Sequence, residues 1–128
     1  MRKVIVPFLL ILFVAAGVTT ASGQWRVLGT RDVNFRVDHD TFPVTYKKGD
    51  FRELKIAVVK APVHFDRVMV TFRNGQTQDL EFRDLIEPGG ETRAIDLEGN
   101  ERIIRKVDFW YQTDSARKRG KVILYGRS

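Results

Sequence analysis

The chain has 128 residues, and its 22 lysines and arginines outweigh its 16 aspartates and glutamates to give a formal net charge of +6. It contains no cysteine, which excludes disulfides, thiol catalysis and zinc–thiolate sites. Positive and negative charges alternate along most of the chain, which is typical of a mixed, solvated surface and argues against a nucleic-acid-binding protein.

The first 23 residues have the order of a secretory signal peptide. A short positive segment precedes an uncharged, apolar core at 4–18, which is shorter than the roughly 20 residues needed to cross a bilayer. Small residues follow at 19–23 and suit cleavage before Gln24 or before Ser22. We therefore expect an exported protein, periplasmic or secreted, with an uncleaved membrane anchor as the alternative.

The rest of the chain, 24–128, predicts a single all-β domain. Apolar and polar residues alternate with a period of two, which indicates half-buried strands, and turn residues separate the runs. No segment after the leader has the apolar stripe and caps of a helix. About eight short strands favour an antiparallel, jelly-roll-like β-sandwich. The predicted strands are 25–29, 32–38, 51–60, 67–73, 77–83, 92–97, 102–112 and 121–126, and residues 39–50 form the longest predicted loop.

The alternation also predicts the side chains that face the core. They are Val33, Phe35, Val37, Leu54, Ile56, Val58, Val68, Val70, Phe72, Leu80, Ile95, Leu97, Val107, Phe109, Val122 and Leu124. In a regular strand over 102–112, Ile103 and Val107 would point to one face, and Ile104 and Trp110 would point to the other. This strand is therefore either covered on both faces, or Trp110 forms an outer aromatic platform.

The hairpin around Gly75 allows its register to be predicted. A two-residue turn would set Val70 opposite Asp79 and place a charge on the core face. A three-residue loop instead sets Val68 opposite Leu80, so that the apolar residues of both strands face the core. This loop requires Gly75 to adopt the left-handed conformation that glycine tolerates.

Six segments of the chain form a recognisable set of motifs: WRVLGTR at 25–31, GDFR at 49–52, GETRAIDL at 90–97, RII at 102–104, VDFWY at 107–111 and LYGR at 124–127. In these motifs the chain resembles an uncharacterised family of small exported bacterial proteins, a domain-of-unknown-function group. The resemblance spans nearly the whole chain after the leader. It implies an exported β-rich domain and implies no activity.

Two histidines are the candidates for metal or acid–base chemistry. His39 lies between Asp38 and Asp40 at the start of the predicted loop, and His64 lies two residues before Asp66, between predicted strands. Neither spacing is a recognised metal-binding signature. We therefore expect no catalytic centre, no metal site and no cofactor. The alternative is a small metal-dependent hydrolase that uses both histidines and nearby aspartates.

The candidate binding residues are aromatic or basic. Aromatic rings stack on sugars or apolar partner surfaces, and a cluster of cations binds phosphate groups. The favoured hypothesis is a non-enzymatic exported module that binds an envelope protein, a glycan or an anionic surface, or has a structural role there. No nucleic acid is expected as a partner, and the membrane is contacted only through an uncleaved leader. The candidates are Trp25, Tyr46, Trp110, Arg117, Lys118, Arg119 and Lys121.

Overall fold

The computed structural model describes residues 23–33, 38–113 and 119–128, and these residues form ten strands and one 3-10 turn. The turn is Tyr46–Lys48. Across the three ranges, no helix is long and apolar enough to span a membrane. The strands are β1 Arg26–Val33, β2 Asp38–Pro43, β3 Asp50–Phe51, β4 Glu53–Val59, β5 Val63–Phe72, β6 Thr77–Asp79, β7 Leu85–Ile86, β8 Ile95–Asp96, β9 Arg102–Gln112 and β10 Gly120–Arg127.

The strands form two antiparallel sheets. The four-stranded sheet has the order β1-β10-β4-β8, and the six-stranded sheet has the order β2-β9-β5-β6, with β3 paired to β9 and β7 paired to β5. Buried apolar side chains from both sheets form one hydrophobic cluster. The predicted all-β antiparallel sandwich is therefore confirmed, with ten described strands where the sequence predicts about eight.

The period-two pattern places the core correctly where strands are regular. Every predicted core residue that the structure describes is buried, whereas Phe35 and Val37 lie outside the described residues. In β10, for example, Val122 and Leu124 are fully buried and Ile123 between them is partly exposed. This alternation follows from successive side chains pointing to opposite faces of a strand.

Two segments predicted outside strands belong to strands. Residues 38–43, predicted as the start of the longest loop, form β2 and pair with β9, where Phe42 lies opposite Val107 in the core. His64 and Phe65, predicted to lie between strands, belong to β5. Pairing with a neighbour decides strand formation at such positions, because β propensity depends on context. Pro43 is tolerated because β2 is an edge strand.

A bulge in β9 reverses the alternation of that strand. The pairing with β5 shifts register at Arg105, which has no partner in β5. Ile104 is therefore buried, whereas Ile103 is partly exposed. Ile103 and Val107 have the same parity in the sequence but do not share a face, since one extra residue exchanges the two faces of a strand.

The predicted hairpin register is confirmed. Val70 pairs with Gln78, and the backbone N–H of Leu80 donates to the carbonyl oxygen of Val68 at 3.0 Å. Gly75 has a φ of 92°, the left-handed region required by the three-residue loop. The hairpin thus keeps its apolar residues on the core face.

Candidate functional site

The aromatic residues predicted to bind a ligand lie in three separate places. Trp110 is on the outer face of the six-stranded sheet, and Tyr46 is in the 3-10 turn. Trp25 contacts Lys55 and Arg127 on the outer face of the four-stranded sheet. Since the two outer faces lie on opposite sides of the sandwich, these rings do not form one binding surface.

The predicted basic cluster is described only in part. Arg119 is exposed, and Lys121 is partly exposed at the start of β10. Arg117 and Lys118 lie outside the described residues. A role for this cluster in binding anions therefore stays a prediction.

Trp25 is covered by its own neighbours. The Lys55 ammonium lies 4.6 Å from the centre of the Trp25 ring system, and the Arg127 guanidinium lies 4.3 Å from it. Lys55 pairs with Glu91 at 3.1 Å, and Arg127 pairs with Glu53 at 2.6 Å. Both cations are therefore held by carboxylates while they cover the indole, which leaves little of its face for a ligand.

Trp110 stands in a row of side chains across the outer face of the six-stranded sheet. The His39 ring stacks on it with 4.5 Å between ring centres and an interplanar angle of 12°. The Arg67 guanidinium lies 5.2 Å from the indole centre. Because β2 and β5 flank β9 on opposite sides, His39 and Arg67 cover opposite faces of the indole. Trp110 therefore offers its edge to a partner, and a stacking platform would require these neighbours to move.

Asp108 is a buried carboxylate beside this row, with 5% of its surface exposed. The Thr41 hydroxyl donates to its Oδ1 at 2.6 Å, His39 Nε2 lies 2.9 Å from the same oxygen, and Lys106 Nζ lies 3.6 Å from Oδ2. Burial raises the pKa of Asp108, but the hydrogen bonds from Thr41 and His39 and the charge of Lys106 outweigh it and hold the pKa below its ordinary value.

His39 lies in β2, whereas the sequence predicts it at the start of the longest loop, and its side chain stays exposed while it contacts Asp108. A carboxylate and the histidine that it orients are two of the three members of a catalytic triad, and the third is a nucleophile. The Thr41 hydroxyl donates to Asp108, so its proton is directed at the carboxylate. The His39–Asp108 contact joins β2 to β9.

The two histidines contact different carboxylates. His64 Nδ1 lies 3.2 Å from Asp66 Oδ1, whereas His39 contacts Asp108. They sit on β5 and β2 with β9 between them, so two strand spacings, about 10 Å, separate their backbones. Shared zinc ligation requires Zn–N bonds of about 2.1 Å to each ring. Within the described part of the chain, no group of three or more His, Asp or Glu side chains is placed to hold a metal ion.

An apolar groove opens beside Tyr46, and we refer to it as the Tyr46 groove. Its volume is about 330 Å³, at the lower end of the range of small-ligand sites, roughly 300–1,000 Å³. Tyr46 is 63% exposed and forms one wall. The lining residues are Pro43, Val44, Thr45, Tyr46, Arg73, Ile103, Ile104 and Arg105.

The bulge in β9 builds the floor of the Tyr46 groove. It exposes part of Ile103 and places Arg105 in the lining. The N–H of Val44 donates to the Arg105 carbonyl at 2.9 Å, and the N–H of Arg73 donates to the Ile103 carbonyl at 2.9 Å. The backbone under the groove is therefore fixed from both neighbouring segments, so the groove is pre-formed.

Positive charge surrounds the Tyr46 groove. The Arg73 guanidinium lies 5.4 Å from the centre of the Tyr46 ring. Among the residues that the structure describes, neither Arg73 nor Arg105 forms an ion pair with a carboxylate. Asp50 and Glu101 line an adjoining pocket on the other side of Arg73, and the groove itself contains no carboxylate.

The sequence identified Tyr46 as a binding candidate but missed Arg73, Ile103 and Arg105. These three converge only through the hairpin and the bulge in β9, which are long-range features. No local signal identifies them, because alternation within one strand does not show where its register shifts.

The chain matches the family model described as "Domain of unknown function (DUF2541)" over residues 6–126. It therefore belongs to this family, and the resemblance to an uncharacterised domain group is confirmed. Searches of curated proteins and of solved structures found no match. The geometry of the site is therefore the basis on which a function can be proposed.

Proposed function

We propose that this domain is a non-enzymatic binding module, exported to the cell envelope, and that the Tyr46 groove holds a small ligand with an apolar body. The observation that carries the proposal is the combination of an apolar floor, an exposed aromatic wall and two lining arginines that form no ion pair with a described carboxylate. A concave apolar site with a few converging polar groups is the usual form of a ligand pocket.

The exposure of apolar surface in the groove supports a binding role. Ile103 is partly exposed and Tyr46 is largely exposed, and they lie side by side in one concave lining. Contact with water makes such surface unfavourable, and a ligand that covers it gains free energy of about 25 cal/mol per Å². The bulge that creates this surface leaves Arg105 without a partner in β5. Bulges are common beside functional sites.

The chemistry of the lining supports binding without catalysis. The eight lining residues include no histidine, carboxylate or serine, so the hydroxyls of Thr45 and Tyr46 have no general base within the lining to activate them. The arginines of the groove carry positive charge. The groove is thus suited to bind a ligand and to attract negative charge. The signal-like leader supports a binding role outside the cytoplasm.

The test is an NMR titration of the full chain with 1-octanol, a neutral probe with an apolar body. We expect saturable shifts of the backbone amides of Val44, Tyr46 and Ile103. The variants Tyr46→Ala and Ile103→Ser should weaken binding by about tenfold or more, which corresponds to 1.4 kcal/mol.

Val27→Ser is the matched control, because Val27 is an apolar side chain that is 51% exposed on β1 and does not line the groove. This variant should bind the probe as the wild type does. Saturable shifts centred on Trp110 or Trp25, or equal loss of binding in the control, would contradict the assignment of the groove as the ligand site.

A further inference from the structure

We infer that the ligand of the Tyr46 groove is an amphiphilic carboxylate with a single short apolar chain or ring, an assignment that rests on the proposed function and specifies its ligand class. The apolar body lies on Ile103 and against Tyr46. The carboxylate pairs with the guanidiniums of Arg73 and Arg105 at the rim.

Charge complementarity is the first argument. Arg73 and Arg105 line the groove, and neither forms an ion pair within the described residues. Lys47 and Lys48 follow Tyr46 directly in the 3-10 turn and add two further cations. The lining contains no carboxylate, so an anionic ligand would neutralise the positive charge of its arginines.

The geometry of arginine is the second argument. A guanidinium offers N–H donors in a planar fork that matches a carboxylate with two parallel hydrogen bonds. The stacking of Arg73 near the Tyr46 ring limits the positions of its side chain, which reduces the entropy lost on binding. An apolar floor under these donors lowers the local dielectric and strengthens the pairing with an anion.

The size of the groove is the third argument. A volume of about 330 Å³ suits one short chain or one small ring system, and it is too small for a two-chain lipid. The groove also places its cations and its apolar floor in the same small lining. A molecule that carries both a charged head and an apolar body is therefore favoured over a free inorganic anion, which would leave the floor uncovered.

The experiment compares octanoate with 1-octanol, two probes that share a chain and differ in the carboxylate. Isothermal titration calorimetry and NMR shifts should show octanoate binding about tenfold or more tightly than 1-octanol at the same groove. The affinity for octanoate should fall as salt is added, while that for 1-octanol should not. Acetate, which has the head without the chain, should produce no saturable shifts.

The double variant Arg73→Gln with Arg105→Gln should reduce the affinity for octanoate to that for 1-octanol and change 1-octanol binding by less than about twofold. The matched control is Arg83→Gln with Arg93→Gln, which removes the same charge at exposed positions outside the groove. This control should keep the preference for octanoate, because screening in salt limits the effect of distant charges.

The outcomes separate this inference from the proposed function. Equal binding of octanoate and 1-octanol at the groove would overturn the carboxylate assignment and leave the binding site in place. Binding of neither probe at the groove would overturn both. Octyl phosphate binding more than about tenfold tighter than octanoate would also overturn the carboxylate assignment, because it would identify a phosphate head as the ligand chemistry.

Discussion

Asp108 is the one buried carboxylate among the described residues, and its three polar neighbours explain why the sheet tolerates it. Thr41, His39 and Lys106 together supply hydrogen bonds and positive charge to its two oxygens. A buried anion without such partners would cost several kcal/mol. The cluster joins β2 to β9, and it adds to the packing of Phe42 on Phe109 and to the hydrogen bond that the Tyr111 hydroxyl donates to Asp40.

The charge on Asp108 should stabilise the fold in a pH-dependent way. Since its pKa in the folded state is lowered, the stabilisation is present above the unfolded-state pKa and is lost as pH falls through the folded-state pKa. We expect Asp108→Asn to be less stable than the wild type by about 1–3 kcal/mol near pH 7. Urea denaturation of both proteins should show this difference shrinking as the pH falls from about 5 to below 4.

The same measurement has a clear contrary result. A difference between Asp108→Asn and the wild type that stays constant down to about pH 3, or that grows on acidification, would mean that the ionised carboxylate does not stabilise the fold. Thr41→Val is a useful companion variant, because it removes one donor to Asp108 while the carboxylate and Lys106 remain.

At the scale of single elements, the sequence predicts regular strands well. β4 and β10 alternate without interruption between buried and partly exposed residues, so period two alone identifies their core side chains. β2 lacks this alternation because Asp38, His39, Asp40 and Thr41 give it a polar composition. Its strand conformation comes from pairing with β9, which local sequence does not encode.

The bulge in β9 limits how much of the Tyr46 groove can be predicted from sequence. The exposed aromatic residue of the groove is visible as Tyr46 in a turn-rich segment. The roles of Arg73 and Arg105 are not visible, because they depend on which residue of β9 is left without a partner. A register shift follows from the packing of three strands together, and alternation within one strand carries no information about it.

Two neighbouring isoleucines test the register in β9 directly. Ile104→Ala should destabilise the fold by about 2–5 kcal/mol, because Ile104 is buried and truncation leaves a cavity. Ile103→Ala should cost less than about 1 kcal/mol, since Ile103 is partly exposed. Chemical denaturation of the two variants decides between registers, and the reverse order would restore the alternation predicted from sequence.

At the scale of the whole molecule, aromatic packing takes the place of disulfides. The chain contains no cysteine, so no disulfide stabilises its core. Phe109 stacks against Phe42 and Tyr111 with ring centres 4.9 and 5.4 Å apart, and Phe65 lies 6.1 Å from it. Such pairs add about 0.5–1.5 kcal/mol each to the free energy of burial.

The two ends of the described domain lie side by side. β1 pairs with β10, and a Cβ built on Gly23 would lie 3.1 Å from the carbonyl oxygen of Ser128. Trp25 is already held by Arg127 at this end of the sheet. Cleavage before Gln24 or before Ser22 would thus retain β1 and Trp25.

Export is the last property that the sequence predicts, and a single position tests it. Ala21 is the third residue before a cut preceding Gln24 and the last residue before a cut preceding Ser22, and both positions require small side chains. We expect the mature protein to begin at Gln24 or Ser22, as intact mass of the periplasmic or secreted fraction would show. Ala21→Glu should block both cuts and accumulate the precursor, whereas the control Thr20→Gln should be processed normally. Wild-type protein that keeps its leader in the membrane fraction would instead identify residues 4–18 as an uncleaved anchor.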